Sequence, residues 1–149
     1  MNDYWINEGS WIYVIMTGDN INRYKVGRTK NNPMLRVNQL RTGDPYLALQ
    51  LAYFIPSSLT TKTSILEAAI HKQLESPISF YGEKKSEWFN GDARDVWNEI
   101  DFIFESLGCE VTDYYQPFES KVVRFWGGDL EDFYNWKPLE VDEEGFPKF

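Results

Sequence analysis

Six side chains in the first half of the chain are of the types that phosphodiester hydrolysis needs: Tyr13, Lys25, Arg28, Arg36, Glu67 and His71. Such a reaction requires a positioned group to handle the proton of an attacking water. It requires cations to meet the extra negative charge of the transition state. A hard divalent ion, where one takes part, requires carboxylate oxygen. Tyr13 is the candidate for the proton, Arg28 and Arg36 for the charge with Lys25 beside them, and Glu67 for the metal. His71 is the only histidine. It lies four residues after Glu67, so on a helix the two are neighbours, and it is expected beside the metal ligand or on a phosphate. Each residue also has a plain reading. Tyr13 in an apolar strand is an ordinary core tyrosine, Arg36 a solvated helix charge, and Glu67 with His71 a pair on a helix surface.

The elements that must position them can be read from pattern. Trp11 to Met16 is a nearly continuous apolar run with β-branched residues, so a buried strand. Across the turn-prone Thr17-Gly18-Asp19-Asn20, residues 23–28 form its hairpin partner, in which Gly27 allows a close backbone approach. Asn32-Pro33 starts a helix, with Asn as cap and Pro at its first position; Met34, Val37 and Leu40 line one side and Gly43 ends it. Leu47 to Ile55 is a third strand, and Thr61 to Glu75 a second helix with Ile65, Leu66, Ala69, Ile70 and Leu74 on its apolar face. Residues 76–86 read as a loop and Glu87-Trp88-Phe89 as a short extended piece. Asp92 caps a third helix that Gly108 terminates. The order β-β-α-β-α-(β)-α predicts a mixed α/β domain over residues 11–107, a small three-stranded sheet with flanking helices. Residues 108–149 read as an extension holding two more strands and, from Gly127, an irregular acidic and aromatic tail. That tail is expected to dock through Phe133, Tyr134, Trp136 and Phe146.

Charge is distributed unevenly. The net charge is −8, against a simple nucleic-acid binder. Residues 1–100 nevertheless hold eleven basic and eleven acidic side chains, whereas residues 101–149 hold four and twelve. Between Asn20 and Gly43 there are six basic residues and no acidic one: Arg23, Lys25, Arg28, Lys30, Arg36 and Arg41. This segment is the expected DNA-contacting patch, with Arg23, Lys30 and Arg41 as binding residues outside the chemistry. Residues 127–149 are the expected contact for a protein partner or a mimic of nucleic acid. The single Cys109 excludes an intramolecular disulfide and a cysteine-rich zinc site. No run approaches the ~18 apolar residues of a membrane span. The opening residues lack the basic and apolar regions of a signal peptide, so a cytoplasmic setting is expected.

Trp11-Ile12-Tyr13, Tyr24-Lys25-Val26-Gly27-Arg28-Thr29, an Arg-bearing helix, Glu67-Ala68-Ala69-Ile70-His71 and Glu87-Trp88-Phe89 occur in this order. Together they resemble the phage and fungal branch of the GIY-YIG endonuclease superfamily, over about residues 11–100. The resemblance implies a divalent-metal-dependent DNA endonuclease. Tyr13 would activate the water, Arg36 contact the phosphate, and Glu67 hold one Mg²⁺ or Mn²⁺. It also implies that Tyr13, Arg36 and Glu67 converge on one concave surface. Lys25 stands where the family's second motif has Tyr. That departure and the acidic C-terminal third motivate the alternative of a catalytically inactive binding or inhibitor protein, such as a phage anti-defence protein. A third reading is a nucleic-acid-binding module of a larger assembly.

Overall fold

A computed structural model describes residues 8–18, 20–59, 61–74, 77–80, 84–116 and 120–134. In chain order the elements are β1 (Gly9–Thr17), β2 (Asn20–Thr29), α1 (Pro33–Leu40), β3 (Leu47–Pro56), α2 (Thr63–Gln73), β4 (Pro77–Phe80), β5 (Lys84–Asn90), α3 (Val96–Ser106), β6 (Val111–Asp113), β7 (Val122–Trp126) and α4 (Gly127–Tyr134). The strands make one sheet in the order β4-β5-β2-β1-β3-β7-β6. Every pairing is antiparallel except β6 with β7.

The expected small three-stranded sheet is therefore corrected to seven strands with four helices. The trio β2-β1-β3 lies at its centre. β5 and β4 extend it beyond β2, and β7 and β6 beyond β3. The sequence of β4 and β5 concealed them. Pro77, Lys84 and Lys85 break the apolar alternation that marks a half-buried strand, so only Glu87-Trp88-Phe89 of β5 read as extended. A second correction concerns residues from Gly127, expected to be irregular. They begin with the helix α4, whose Asp129 accepts from the Trp126 amide at 3.3 Å, satisfying one of the donors that a helix start leaves unpaired.

β1 is apolar along its length because both faces of the sheet are covered. Ile12 and Val14 join Leu51, Tyr53 and Ile55 of β3 in a core with Leu66 and Ile70 of α2 and Ile100 and Phe104 of α3. Trp11, Tyr13 and Ile15 join Ala52 and Phe54 in a second core with Met34 and Val37 of α1, Phe125 of β7 and Leu130 of α4. The Trp11 ring lies 5.1 Å from Phe54, 5.3 Å from Phe125 and 6.4 Å from Tyr134. Phe133 lies 5.5 Å from Phe125. Phe133 and Tyr134 pack against this core, while Trp136 and Phe146 lie outside the described residues.

Helix starts and stops follow local chemistry. The Asn32 side chain accepts from the Met34 amide at 2.9 Å, with Pro33 at the first turn. Gly108, at φ +81°, follows the last turn of α3, and Cys109 donates its amide to the Phe104 carbonyl at 2.9 Å, a Schellman-type ending. Asp92 does not cap α3. It accepts from the Arg94 amide at 2.8 Å and pairs with that residue's guanidinium, and the helix begins four residues later.

Tyr24 packs on Phe89 with ring centroids 5.8 Å apart. Burial, and then the negative charge of Glu99, push its hydroxyl up to about 12 from 10.0. A folded-state value above the unfolded one means that the stability it contributes is whole below pH 10 and lost as pH rises towards 12. The loss is at most about 2–3 kcal/mol at 1.36 kcal/mol per unit. Tyr24→Phe is expected to weaken this alkaline loss, read as a smaller drop in denaturant midpoint across that window. An unchanged drop would place the effect elsewhere.

Candidate active site between β2 and α2

The hairpin register sorts the candidate residues. Ile12 pairs with Arg28, Tyr13 with Gly27, Val14 with Val26 and Ile15 with Lys25. Because successive strand residues point to opposite faces, Arg28 belongs to the face covered by α2 and α3, and Lys25 and Gly27 to the face covered by α1 and α4. On the first face, Leu66 and Ile70, both fully buried, anchor α2 over the sheet. This brings Glu67 against β2, with its carboxylate 3.5 Å from the Arg28 Nε. The Glu67 side chain is 14% exposed and Arg28 53%, so the pair is set into the wall of the molecule with its cation towards solvent.

One turn on, His71 Nε2 lies 2.9 Å from the Val26 carbonyl. A carbonyl only accepts, so Nε2 carries the hydrogen, and Nδ1 is the nitrogen left for other chemistry. The β2–β5 ladder runs from Arg23 to Lys25 and stops there, and His71 supplies the next donor. Its ring also lies 5.3 Å from Phe89 of β5.

The opposite face holds Tyr13, 2% exposed and within the core that includes Met34 and Val37. Its hydroxyl end lies over Gly27, where a Cβ would stand 2.5 Å from Oη and 2.6 Å from Cζ. Gly27 is thus required by the tyrosine ring crossing it. Gly27→Ala is expected to cost about 1–3 kcal/mol through overpacking, measured by thermal or denaturant unfolding. A neutral result would show that the ring can move aside. Arg36 is exposed on α1 and, among the described residues, reaches Gln39 at 3.4 Å.

Tyr13 and Arg36 therefore do not share a face with Glu67. The structure instead brings Arg28, Glu67 and His71 together. The expected basic patch is divided in the same way. Arg23 lies over the Trp88 ring at 5.6 Å. Lys25 is half-buried on the face of Tyr13. Arg41 donates to the Leu47 carbonyl at 2.9 Å and to Asn38 at 3.1 Å, which ties the end of α1 to the start of β3. Lys30 lines a groove beside Arg28, together with Lys62. Lys62 was not singled out from sequence; the only available signal was the polar run Thr61-Lys62-Thr63-Ser64 ahead of the apolar helix face.

Among the described residues no three His, Cys, Asp or Glu side chains are grouped so as to hold a metal ion. Glu67 with one histidine nitrogen is no closed zinc site. A single carboxylate does suit Mg²⁺, which keeps several waters and takes phosphate oxygens from its substrate.

The candidate site is thus a carboxylate–guanidinium–imidazole cluster with flanking cations on one side of a mixed sheet covered by helices. The chain belongs to the T5orf172 domain family, whose model matches residues 10–104. The family is associated with nuclease-like and DNA-binding functions. This match corrects the resemblance to the GIY-YIG superfamily: no model of that superfamily matches, and the short motifs that suggested it lie within the T5orf172 segment. No curated protein and no solved structure shows significant similarity to the chain. No helix among the described residues is long and apolar enough to cross a membrane.

Proposed function

We propose that the protein is a divalent-metal-dependent endonuclease that hydrolyses DNA phosphodiester bonds in the cytoplasm, with its chemistry at Glu67, Arg28 and His71. The observation that carries this reading is the inset ion pair of Glu67 with Arg28, one helical turn from a histidine of fixed tautomer, inside the family-matched segment. A Mg²⁺ or Mn²⁺ held by the Glu67 carboxylate would supply positive charge at a phosphate oxygen. Arg28, released from Glu67 as that carboxylate takes the ion, would turn its guanidinium to the phosphate. Arginine suits this because its planar fork can bind two phosphate oxygens at once. His71 donates through Nε2 to Val26, so its Nδ1 would accept the proton of the attacking water. The water-activating role for Tyr13 and the charge role for Arg36 are set aside in this reading, because both lie on the other face.

The test is cleavage of supercoiled and linear plasmid with Mg²⁺ or Mn²⁺, wild type against Glu67→Ala. Cleavage by the wild type alone supports the reading; equal cleavage by both, or by neither, sinks it. The burial of Tyr13 favours a second reading, a DNA-binding protein without turnover. It would show salt-sensitive DNA affinity and no cleavage in any metal.

A further inference from the structure

Beside the proposed active site lies a cavity of about 610 Å³ that shares only Arg28 with the chemistry above. Its walls include Ser10 of β1, Arg28 and Lys30 at the end of β2, and Lys62, Thr63 and Ser64 where α2 begins. Three cations thus face one carboxylate, that of Glu8. Lys30 and Lys62 are exposed, and neither makes an ion pair among the described residues. The hydroxyls of Ser10 and Thr63 contact each other across the groove. The first turn of α2 holds no acidic residue and Lys62 gives it no side-chain cap, so Glu8 is the one carboxylate of the groove lining that opposes an anion. Arg28 belongs to both places: it lines the groove and pairs with Glu67.

From this arrangement we infer that the groove is a second phosphate subsite, which seats a backbone phosphate of the DNA strand next to the one attacked. The inference rests on the endonuclease reading for what is attacked. The chemistry of the groove rests on its own residues. Lys30 and Lys62 supply charge without sequence preference, and the hydroxyls of Ser10, Thr63 and Ser64 supply donors, the mixture that fixes a duplex in register. The volume exceeds what one phosphate needs and leaves room for the attached sugar.

The experiment is DNA binding by fluorescence anisotropy over a salt series, with chelator present so that no metal-dependent cleavage intervenes. The full chain is compared with the double variant Lys30→Gln/Lys62→Gln on a short duplex with 5′-hydroxyl ends. Loss of two phosphate contacts should weaken binding roughly tenfold at low salt and flatten the slope of log K against log salt by about two. Identical affinity and slope would overturn the subsite, as would a wild type that binds no duplex. An affinity that appears only when the duplex carries a 5′-phosphate would overturn the backbone assignment in favour of a terminal-phosphate site. The two readings fail separately. A Glu67→Ala protein that still cuts would end the active-site reading without touching the binding result, and a silent double variant would end the subsite while leaving Glu67 to be judged on cleavage.

Discussion

Replacing Glu67 by alanine is expected to reduce metal-dependent DNA cleavage by at least a hundred- to thousandfold while leaving the protein folded. The size follows from losing the carboxylate proposed to hold the ion: removing a single group that meets developing charge costs about 3–4 kcal/mol in comparable sites. The structural cost is far smaller. Arg28 is half exposed, so solvent screens the pair, and such pairs contribute about 0–1 kcal/mol. Glu67→Gln should behave like the alanine variant, because it keeps the shape and removes the charge. Rates and melting temperatures of both variants decide the matter. A variant that melts normally and cuts at the wild-type rate would remove Glu67 from the mechanism. One that fails to melt cooperatively would show that the carboxylate holds α2 on the sheet.

Arg124→Ala is expected to be among the most destabilising single changes in the domain. Arg124 on β7 pairs with Asp101 of α3, reaches Asp113 of β6 at 3.6 Å, and lies 5.0 Å from the Trp97 ring. Asp101 in turn accepts from the Tyr53 hydroxyl at 2.7 Å. Burial, followed by the charge of Asp101, keeps that hydroxyl well above its ordinary range, so Tyr53 remains a donor. The Arg124 and Asp101 side chains are 16% and 18% exposed. Removing one partner leaves the other charge largely buried and uncompensated, at a cost of about 3–5 kcal/mol. For a domain of this size the melting temperature should fall by roughly 6–20 °C. The double change Arg124→Met/Asp101→Leu should recover much of that loss, because a well-packed apolar pair can replace a buried ion pair. If the double variant is no more stable than Arg124→Ala, the network acts through the hydrogen bond of Tyr53 to Asp101 and the remaining pairing with Asp113 more than through the Arg124–Asp101 pair.

The sequence made some of this architecture legible and hid the rest for identifiable reasons. The runs 11–16 and 47–55 are apolar on both parities, which shows strands buried on both faces but not which side chain meets which helix. The side of α1 was in principle derivable. β2 and β3 both run antiparallel to β1 and are therefore parallel to each other, so β2-α1-β3 is a crossover of a kind that is nearly always right-handed. The path from β3 through α2 to β4 is a second such crossover: β4 is antiparallel to β5, β5 to β2 and β2 to β1, which leaves β4 parallel to β3. Because this path runs back across the sheet, the same rule places α2, and with it Glu67, on the face opposite α1. Because residues 76–86 read as a loop, β4 and therefore this crossover were not visible in the sequence, and Tyr13 and Glu67, chosen for compatible chemistry, were expected on one surface and lie on two. Arg28 was marked as a charge near the site, but its pairing with Glu67 was not read, since 39 positions separate the two and only packing joins them. Arg41 resembled a surface cation in sequence; its bond to the Leu47 carbonyl depends on how the chain turns after α1.

The core between the sheet and α1 and α4 has a consequence for synthesis on the ribosome. Trp11 and Phe54 are made well before Phe125, Leu130 and Tyr134, the side chains that cover them. Until those later residues emerge, a nascent chain with β1, β2 and β3 already paired would display aromatic surface on one side and an unpaired edge at β3. Such an intermediate is prone to self-association. Chain-length-dependent capture by a chaperone should therefore fall only once residues past α4 have cleared the exit tunnel, long after the family-matched segment has been made.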